Sequence, residues 1–316
     1  MTLSDLQQSS GLATKLWRAR WCYVFMAPSL VLSVLFTFYP TVASWVLSAQ
    51  EWSGVGDPTF VGWANYVEVV RDEYFWAAMG RTFQFAIVAS LFKLVLALFI
   101  AIVLNNAAMR LRAVFRTMIF LPVVTTAAVM GAVAVLLLNP FDGPLNQILT
   151  GIGLLEQPVN FLGNPDLALW SVAGVWVWKG LGITMVFWLV ALQTVPRELY
   201  EASWIDGASG LRSHLTITMP LIVPFALLIS LLTFASALQT FPLVQTMTRG
   251  GPNLATELVE LYIFRIAFAP DAGLEARFGY ASAVAVVFGV SVLLVALLQL
   301  WGVRRMRSLR AAMGGQ

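Results

Sequence analysis

A chain of 316 residues, 59% hydrophobic and 11% charged, with a mean hydropathy of +0.80, is far too poor in charge for a soluble domain. Its net charge of +3 is small and reads as basic flanks of membrane spans rather than as a nucleic-acid surface. One cysteine, Cys22, and one histidine, His214, exclude an internal disulfide and a Cys/His zinc centre.

The first 20 residues are polar, and Lys15, Arg18 and Arg20 precede an apolar run over residues 22–47. That flank resembles the start of a signal peptide, but the run is far longer than a cleavable apolar segment. It predicts a retained first span. Crossing the hydrocarbon core takes about 20 mostly apolar residues. Five further runs meet this, at 82–104, 117–138, 167–192, 222–247 and 281–303. Backbone polar groups must be satisfied inside lipid, and the alternation of a barrel strand is absent, so an all-α membrane protein with six transmembrane helices is expected.

Lysine and arginine orient the spans. With both termini in the cytoplasm, the inner flanks carry Lys15, Arg18, Arg20, Arg110, Arg112, Arg116, Arg197, Arg212, Arg304, Arg305, Arg307 and Arg310. The outer loops carry Arg71, Arg81, Arg249, Arg265 and Arg277, while Lys93 and Lys179 fall within spans. The inner excess is the pattern of cytoplasmic loops. The expected organisation is a cytoplasmic segment 1–21, a membrane domain 22–303 and a basic cytoplasmic tail 304–316. Outer loops cover 48–81, 139–166 and 248–280, and ELVELYIFRIAF at 257–268 is amphipathic enough for a short helix along the outer surface.

The inner loop at about 193–220 is polar amid apolar neighbours. Pro196 suits a first helical turn, and Glu198 sits where a helix start favours negative charge. A helix can run through Leu199, Tyr200 and Trp204 until Gly207 allows a turn. Ser209 can cap a second short helix with Leu211, Leu215 and Met219 on one face, and Pro220 and Pro224 mark the return to the membrane. Ala202, Ser203, Gly207, Ala208 and Ser209 would let another protein approach this elbow closely. An amphipathic loop resting on headgroups fits the same pattern.

The spacing Glu201-Ala202-Ser203, three residues, Gly207, nine residues, Ile217, one residue, Met219-Pro220 resembles the EAA loop of ABC-importer permeases. Ser203 and Met219 are conservative departures from it. PRELYEASWIDGAS is similar to the sugar-importer branch. MAPSLVLSVLFTFYP at 26–40, FVGWANY at 60–66, FRTMIFLP at 115–122, GPLNQIL at 143–149 and TRGGPNLAT at 248–256 extend the resemblance to carbohydrate permeases of the maltose-importer type over nearly the whole chain.

The resemblance implies a type I ABC-importer permease fold in a bacterial or archaeal plasma membrane. It implies a second, distinct permease subunit, an ABC ATPase dimer that binds ATP and Mg, and an extracytoplasmic substrate-binding protein. The elbow would dock in a groove of the ATPase through Glu201, Ala202, Ser203, Asp206 and Gly207. Glu201 could instead be a local cap or a solvated charge, and His214 reads as a plain surface histidine. No GxxxxGK[ST] phosphate loop is present, so the chain is expected to bind no cofactor and to be no enzyme itself.

Substrate sites of transporters lie near the midplane on broken or bent helices. In WVWKGLGIT at 176–184, Gly180 and Gly182 would loosen the helix beside Lys179 and Ile183. In FASALQTFP at 234–242, Ser236, Gln239 and Thr240 precede Pro242, which is expected to kink the span. In related sugar permeases the polar residues of these two helices hold the substrate, and Trp178 and Phe241 offer ring faces or plain packing. A sugar is therefore the expected cargo. Lys179 keeps glycerol phosphate or a phosphodiester open, with a snorkelling lysine as the other reading. Lys93 is unassigned, either snorkelling or meeting a partner in the bundle. An ion-coupled secondary transporter is disfavoured because no Asp or Glu lies well inside a span.

Overall fold

The computed structural model describes residue 17 and residues 19–106, 109–208, 210–270 and 275–313. Lys15, Arg18, Ser209 and the last three residues of the tail lie outside them. Helix α1 is the first span, Arg20–Leu47. A two-residue antiparallel pair follows, β1 (Gln50–Glu51) with β2 (Thr59–Phe60). Then come α2 (Ala64–Arg71), α3 (Glu73–Asn105), α4 (Arg112–Phe120, continued as a 3-10 turn, Leu121–Val124) and α5 (Ala127–Leu137). Helices α6 (Pro144–Gly151) and α7 (Pro165–Gln193) lead to the inner elbow, whose first limb is α8 (Arg197–Ile205). The chain ends with α9 (His214–Ala237), α10 (Phe241–Met247), α11 (Val259–Phe268) and α12 (Phe278–Met313).

Helix starts follow local chemistry. Asp72 caps α3 by accepting from the N–H groups of Tyr74 at 2.9 Å and Phe75 at 3.3 Å. Asn164 caps α7 at the N–H of Asp166, 2.9 Å, with Pro165 in the first turn. Two prolines reshape the spans they enter. Pro40 and Pro220 each follow a π-helical turn, Val34–Phe38 and His214–Thr218. A proline cannot donate to the carbonyl four residues back and its ring collides with it, and a widened turn relieves that conflict.

Helices α3 and α7 form the centre of the bundle. Lipid is as apolar as leucine, so close backbone approach must supply much of their association. Ala89, Ala97 and Ala101 form a buried small-residue row on α3. On α7, a Cβ added to Gly182 would lie 2.6 Å from the Ile119 carbonyl oxygen and 2.7 Å from Phe120 Cα. Gly182 thus lets α4 lie against α7. The α7 helix runs unbroken through Gly180 and Gly182, contrary to the expected loosening; both glycines make room for neighbours instead.

The third span is not the single helix expected at 117–138. Arg112–Val124 and Ala127–Leu137 meet at 105°. Pro122 sits in the 3-10 turn, and Thr125 and Thr126 are extended with ψ of 149° and 154°, so the helical ladder cannot continue. The expected span 222–247 also divides, because α9 stops at Ala237 and α10 resumes at Phe241. Pro242 has no N–H to donate to Leu238, which agrees with the expected break. The two detached pieces, α5 and α10, pack together. A Cβ on Gly131 would lie 3.0 Å from Thr246 Cβ and 3.4 Å from the Leu243 carbonyl oxygen.

The helix expected at 257–268 exists, but it does not lie along the outer surface. Val259, Leu261, Tyr262 and Ala267 are buried, and the Val259 N–H donates to Thr82 Oγ1 on α3 at 2.9 Å. By contrast α1 buries none of its residues.

Candidate coupling elbow and translocation face

The elbow between α7 and α9 has a polar inner seam and a mixed outer face. Within the seam, Ser203 Oγ lies 3.0 Å from Ser213 Oγ, and Ser213 donates to the Ala208 carbonyl at 2.9 Å. The Tyr200 hydroxyl lies 2.6 Å from Thr218 Oγ1, which is 3.1 Å from His214 Nδ1. These contacts tie α8 to the first turns of α9. His214, read from sequence as a plain surface residue, is half-buried and part of this seam.

Gly207 closes the turn at φ +77°, a left-handed conformation that side chains resist. The N–H groups of Asp206 and Ala208 return to the carbonyls of Ala202 at 3.1 Å and Ser203 at 2.8 Å. Of the five expected coupling residues, Ser203 is buried in the seam, while Glu201, Ala202, Asp206 and Gly207 are exposed. Glu201 pairs with Arg197 at 3.0 Å, an exposed i, i+4 contact of small energetic weight. One turn beyond Glu201 and next to Asp206, Ile205 is 87% exposed. A small, rigid helix with an uncovered isoleucine and a carboxylate is suited to seat in a partner's groove.

The six expected pathway residues divide by exposure. Ser236 and Gln239 are exposed at the end of α9; Lys179, Gly180 and Ile183 are half-buried on α7. Thr240 is buried, and its hydroxyl is engaged by the Ala237 carbonyl at 2.8 Å. Trp178 is 44% exposed, whereas Phe241 packs on Phe264 with ring centroids 5.0 Å apart. Lys93 does not snorkel; it is 3% exposed, with its ammonium 3.3 Å from the Trp176 ring centroid.

Sequence reading missed the charged framework on the outer side. Glu260 on α11 accepts the Phe241 N–H at 2.8 Å, right after the break in the fifth span. Burial pushes its carboxyl above the ordinary glutamate value, opposed by hydrogen bonds from the backbone of Phe241 and Thr240. Glu257, 1% exposed, pairs with Arg265 at 2.7 Å. Asp72 accepts hydrogen bonds from the hydroxyls of Tyr262 and Tyr280. Burial pushes the Asp72 carboxyl up, yet those hydroxyls and the N–H groups of Phe75 and Tyr74 hold it below its ordinary value. Asp72, Glu68, Tyr262, Arg265, Arg277 and Tyr280 line an outer cavity of about 820 Å³. Asp72 before an apolar run was a legible cap signal. Its tyrosines lie 190 and 208 residues away, beyond any local pattern.

Long apolar helices, two of them broken within the membrane domain, with a polar elbow on one side and a charged cavity on the other, define a multi-pass transport subunit. The family described as "Binding-protein-dependent transport system inner membrane component" matches residues 93–308. The chain belongs to that family. It is 32% identical over 286 residues to the lactose transport system permease protein LacF of Rhizobium radiobacter, covering 89% of this chain and 93% of that protein. It is 32% identical over 283 residues to the sn-glycerol-3-phosphate transport system permease protein UgpA of Salmonella choleraesuis (strain SC-B67), covering 88% and 93%. A chain from the crystal structure of a bacterial ABC transporter that imports the acidic polysaccharide alginate shares the fold. Its TM-score is 0.79 at 22% identity, over 93% of this chain and 98% of that one.

Proposed function

We propose that this chain forms half of the translocation pathway of an ATP-driven, binding-protein-dependent importer of carbohydrates. A second permease subunit would supply the other half. A partner ATPase dimer would hydrolyse ATP and drive the pathway through the elbow, with Glu201, Ala202, Asp206 and Gly207 at the contact and Ser203 holding its shape. Ser236, Gln239, Thr240, Lys179, Gly180 and Ile183 are the proposed pathway residues. The observation that carries this reading is the elbow itself, a hydrogen-bonded helical pair fixed to both α7 and α9 and exposing Ile205 and Glu201. A rigid lever joined to two spans converts movement beneath it into a tilt of those spans.

A second reading, import of a glycerol phosphate, is favoured by the similarity to UgpA and by Lys179 on the half-buried face of α7. The deciding experiment purifies the assembled complex with its binding protein and measures which ligand stimulates ATP hydrolysis. Stimulation by sugars supports the first reading, and stimulation by glycerol phosphates alone supports the second. Robust hydrolysis by this chain without its ATPase partner would overturn both.

A further inference from the structure

The apolar interior of the bundle falls into two clusters with a polar layer between them. On α3 the outer cluster takes Phe85, Ala86 and Ala89, and the inner one takes Ala97, Ala101 and Leu104. On α7 the outer cluster ends at Val177 and the inner begins at Leu181. On α9 the inner cluster includes Ile229 and the outer one Ala237. Between them stand Ser90 and Lys93 on α3, Gly180 on α7 and Thr233 on α9.

Lys93 replaces a small residue in the row of alanines on α3, and the opposite helix is hollowed to receive it. A Cβ on Gly180 would lie 2.6 Å from Lys93 Nζ. The ammonium faces the Trp176 ring at 3.3 Å, and among the described residues Lys93 makes no ion pair or hydrogen bond. Ser90, one turn away, is buried with its hydroxyl unpartnered. The neighbouring charge on α7 is the like charge of Lys179. Acids on these two helices are remote: Glu73 precedes Lys93 by about 30 Å of helix, and Asp166 precedes Lys179 by about 20 Å. A cation–π contact is worth about 2 kcal/mol when desolvated, less than the several kcal/mol it takes to strip an ammonium of water. An ammonium held here without an anion is a group that a bound anion would stabilise.

We propose that Lys93, with Lys179 beside it and the Ser90 hydroxyl one turn away, is the specificity-determining group of the pathway and receives the negative group of an anionic carbohydrate. That group is the carboxylate of a sugar acid or the phosphate of a phosphorylated polyol. Lys179 and Gly180 are only half-buried, so the polar layer reaches the bundle surface along α7. Trp176 holds the ammonium in place between substrates. The inference rests on the importer reading and narrows its cargo.

The test uses the complete importer, with its ATPase and binding protein, reconstituted in liposomes. Uptake is measured for a glucuronate disaccharide, sn-glycerol 3-phosphate and neutral lactose. One anionic probe should be carried in preference to lactose, and which one it is identifies carboxylate or phosphate. Lys93→Met should lower that uptake about tenfold or more, as expected for loss of a charged hydrogen bond, and Lys93→Arg should restore most of it. Lys179→Gln, at a half-buried position, provides a second variant and should also lower it, with co-purification of the partner subunits reporting assembly. Preference for lactose, or anionic uptake unchanged in both Lys93→Met and Lys179→Gln, overturns the proposal and leaves the importer reading standing. If none of these probes stimulates ATP hydrolysis or is taken up, the anionic-cargo proposal falls, while the importer reading is decided by the wider ligand screen of the assembled complex.

Discussion

The Glu260 carboxylate, on a helix outside the spans, accepts the N–H of Phe241 at 2.8 Å and so caps the helix that resumes after the break in the fifth span. The interrupted ladder leaves first-turn N–H groups without intrahelical partners, and this contact satisfies one of them from another helix. It also ties the end of the proposed pathway segment, Ser236 to Thr240, to the outer helix α11.

Glu260→Leu would strand the Phe241 N–H and should cost about 1–3 kcal/mol. The test is the thermal midpoint of the purified complex. The pH dependence has a definite sign. Burial raises the Glu260 carboxyl, so the folded chain holds this proton more tightly than the unfolded chain. Its stabilising contribution is full below the ordinary glutamate value and falls as pH rises through the raised one. Glu260→Gln should flatten that part of the profile, and an unchanged profile would contradict the assignment.

Asp72 gives the opposite slope. Its carboxyl is held below the ordinary value, so its stabilisation is present at neutral pH and is lost as pH falls through the lowered value. Asp72→Ala removes the cap of α3 and the acceptor for Tyr262 and Tyr280, and should cost about 2 kcal/mol or more. Melting curves of wild type and variant should converge on acidification.

Two glycines two residues apart on α7, and so on opposite faces of the helix, should respond unequally to alanine. At Gly182 the new Cβ meets the backbone of Ile119 and Phe120, which cannot yield without moving α4, at a cost of about 1–3 kcal/mol. At Gly180 it meets the flexible tip of Lys93. Gly182→Ala should therefore lower the thermal midpoint more than Gly180→Ala, and the reverse order would refute this account of the packing.

In the elbow, Gly207→Val puts a branched side chain at φ +77°, costing about 1–2 kcal/mol and redirecting the chain out of α8. Glu201→Lys leaves the Ser203–Ser213 seam intact and reverses one exposed charge. Both should abolish uptake and weaken co-purification of the ATPase, while only Gly207→Val lowers the melting temperature. Normal uptake in both would remove the coupling role from this loop.

Hydropathy made the spans legible because lipid selects for apolar runs whatever their direction. For the same reason it was blind to the 105° bend at Thr125–Thr126, because the apolar run over 117–138 continues on both sides of it. The elbow was legible because Pro196, Gly207 and Pro220 act locally. The seam residues His214 and Thr218 needed Tyr200 to be placed first. Lys93 could be seen as costly, but its pocket depends on Gly180 and Trp176 from another helix. Glu260 was assigned to a surface helix because its contact with Phe241 arises only once the fifth span has broken.

Those breaks have a mechanical consequence. Force carried along a helix depends on its continuous ladder, and in the third and fifth spans that ladder is cut at Thr125–Thr126 and Leu238–Thr240. Helices α5 and α10 are clasped together through Gly131 and Thr246, so they respond as one block. The elbow pushes on α7 and α9, and of these two only α7 carries an uncut ladder through to the outer side. The two short pieces, clasped to each other and tied through Phe241 and Glu260 to α11, can follow the outer side rather than the elbow, beside Ser236 and Gln239.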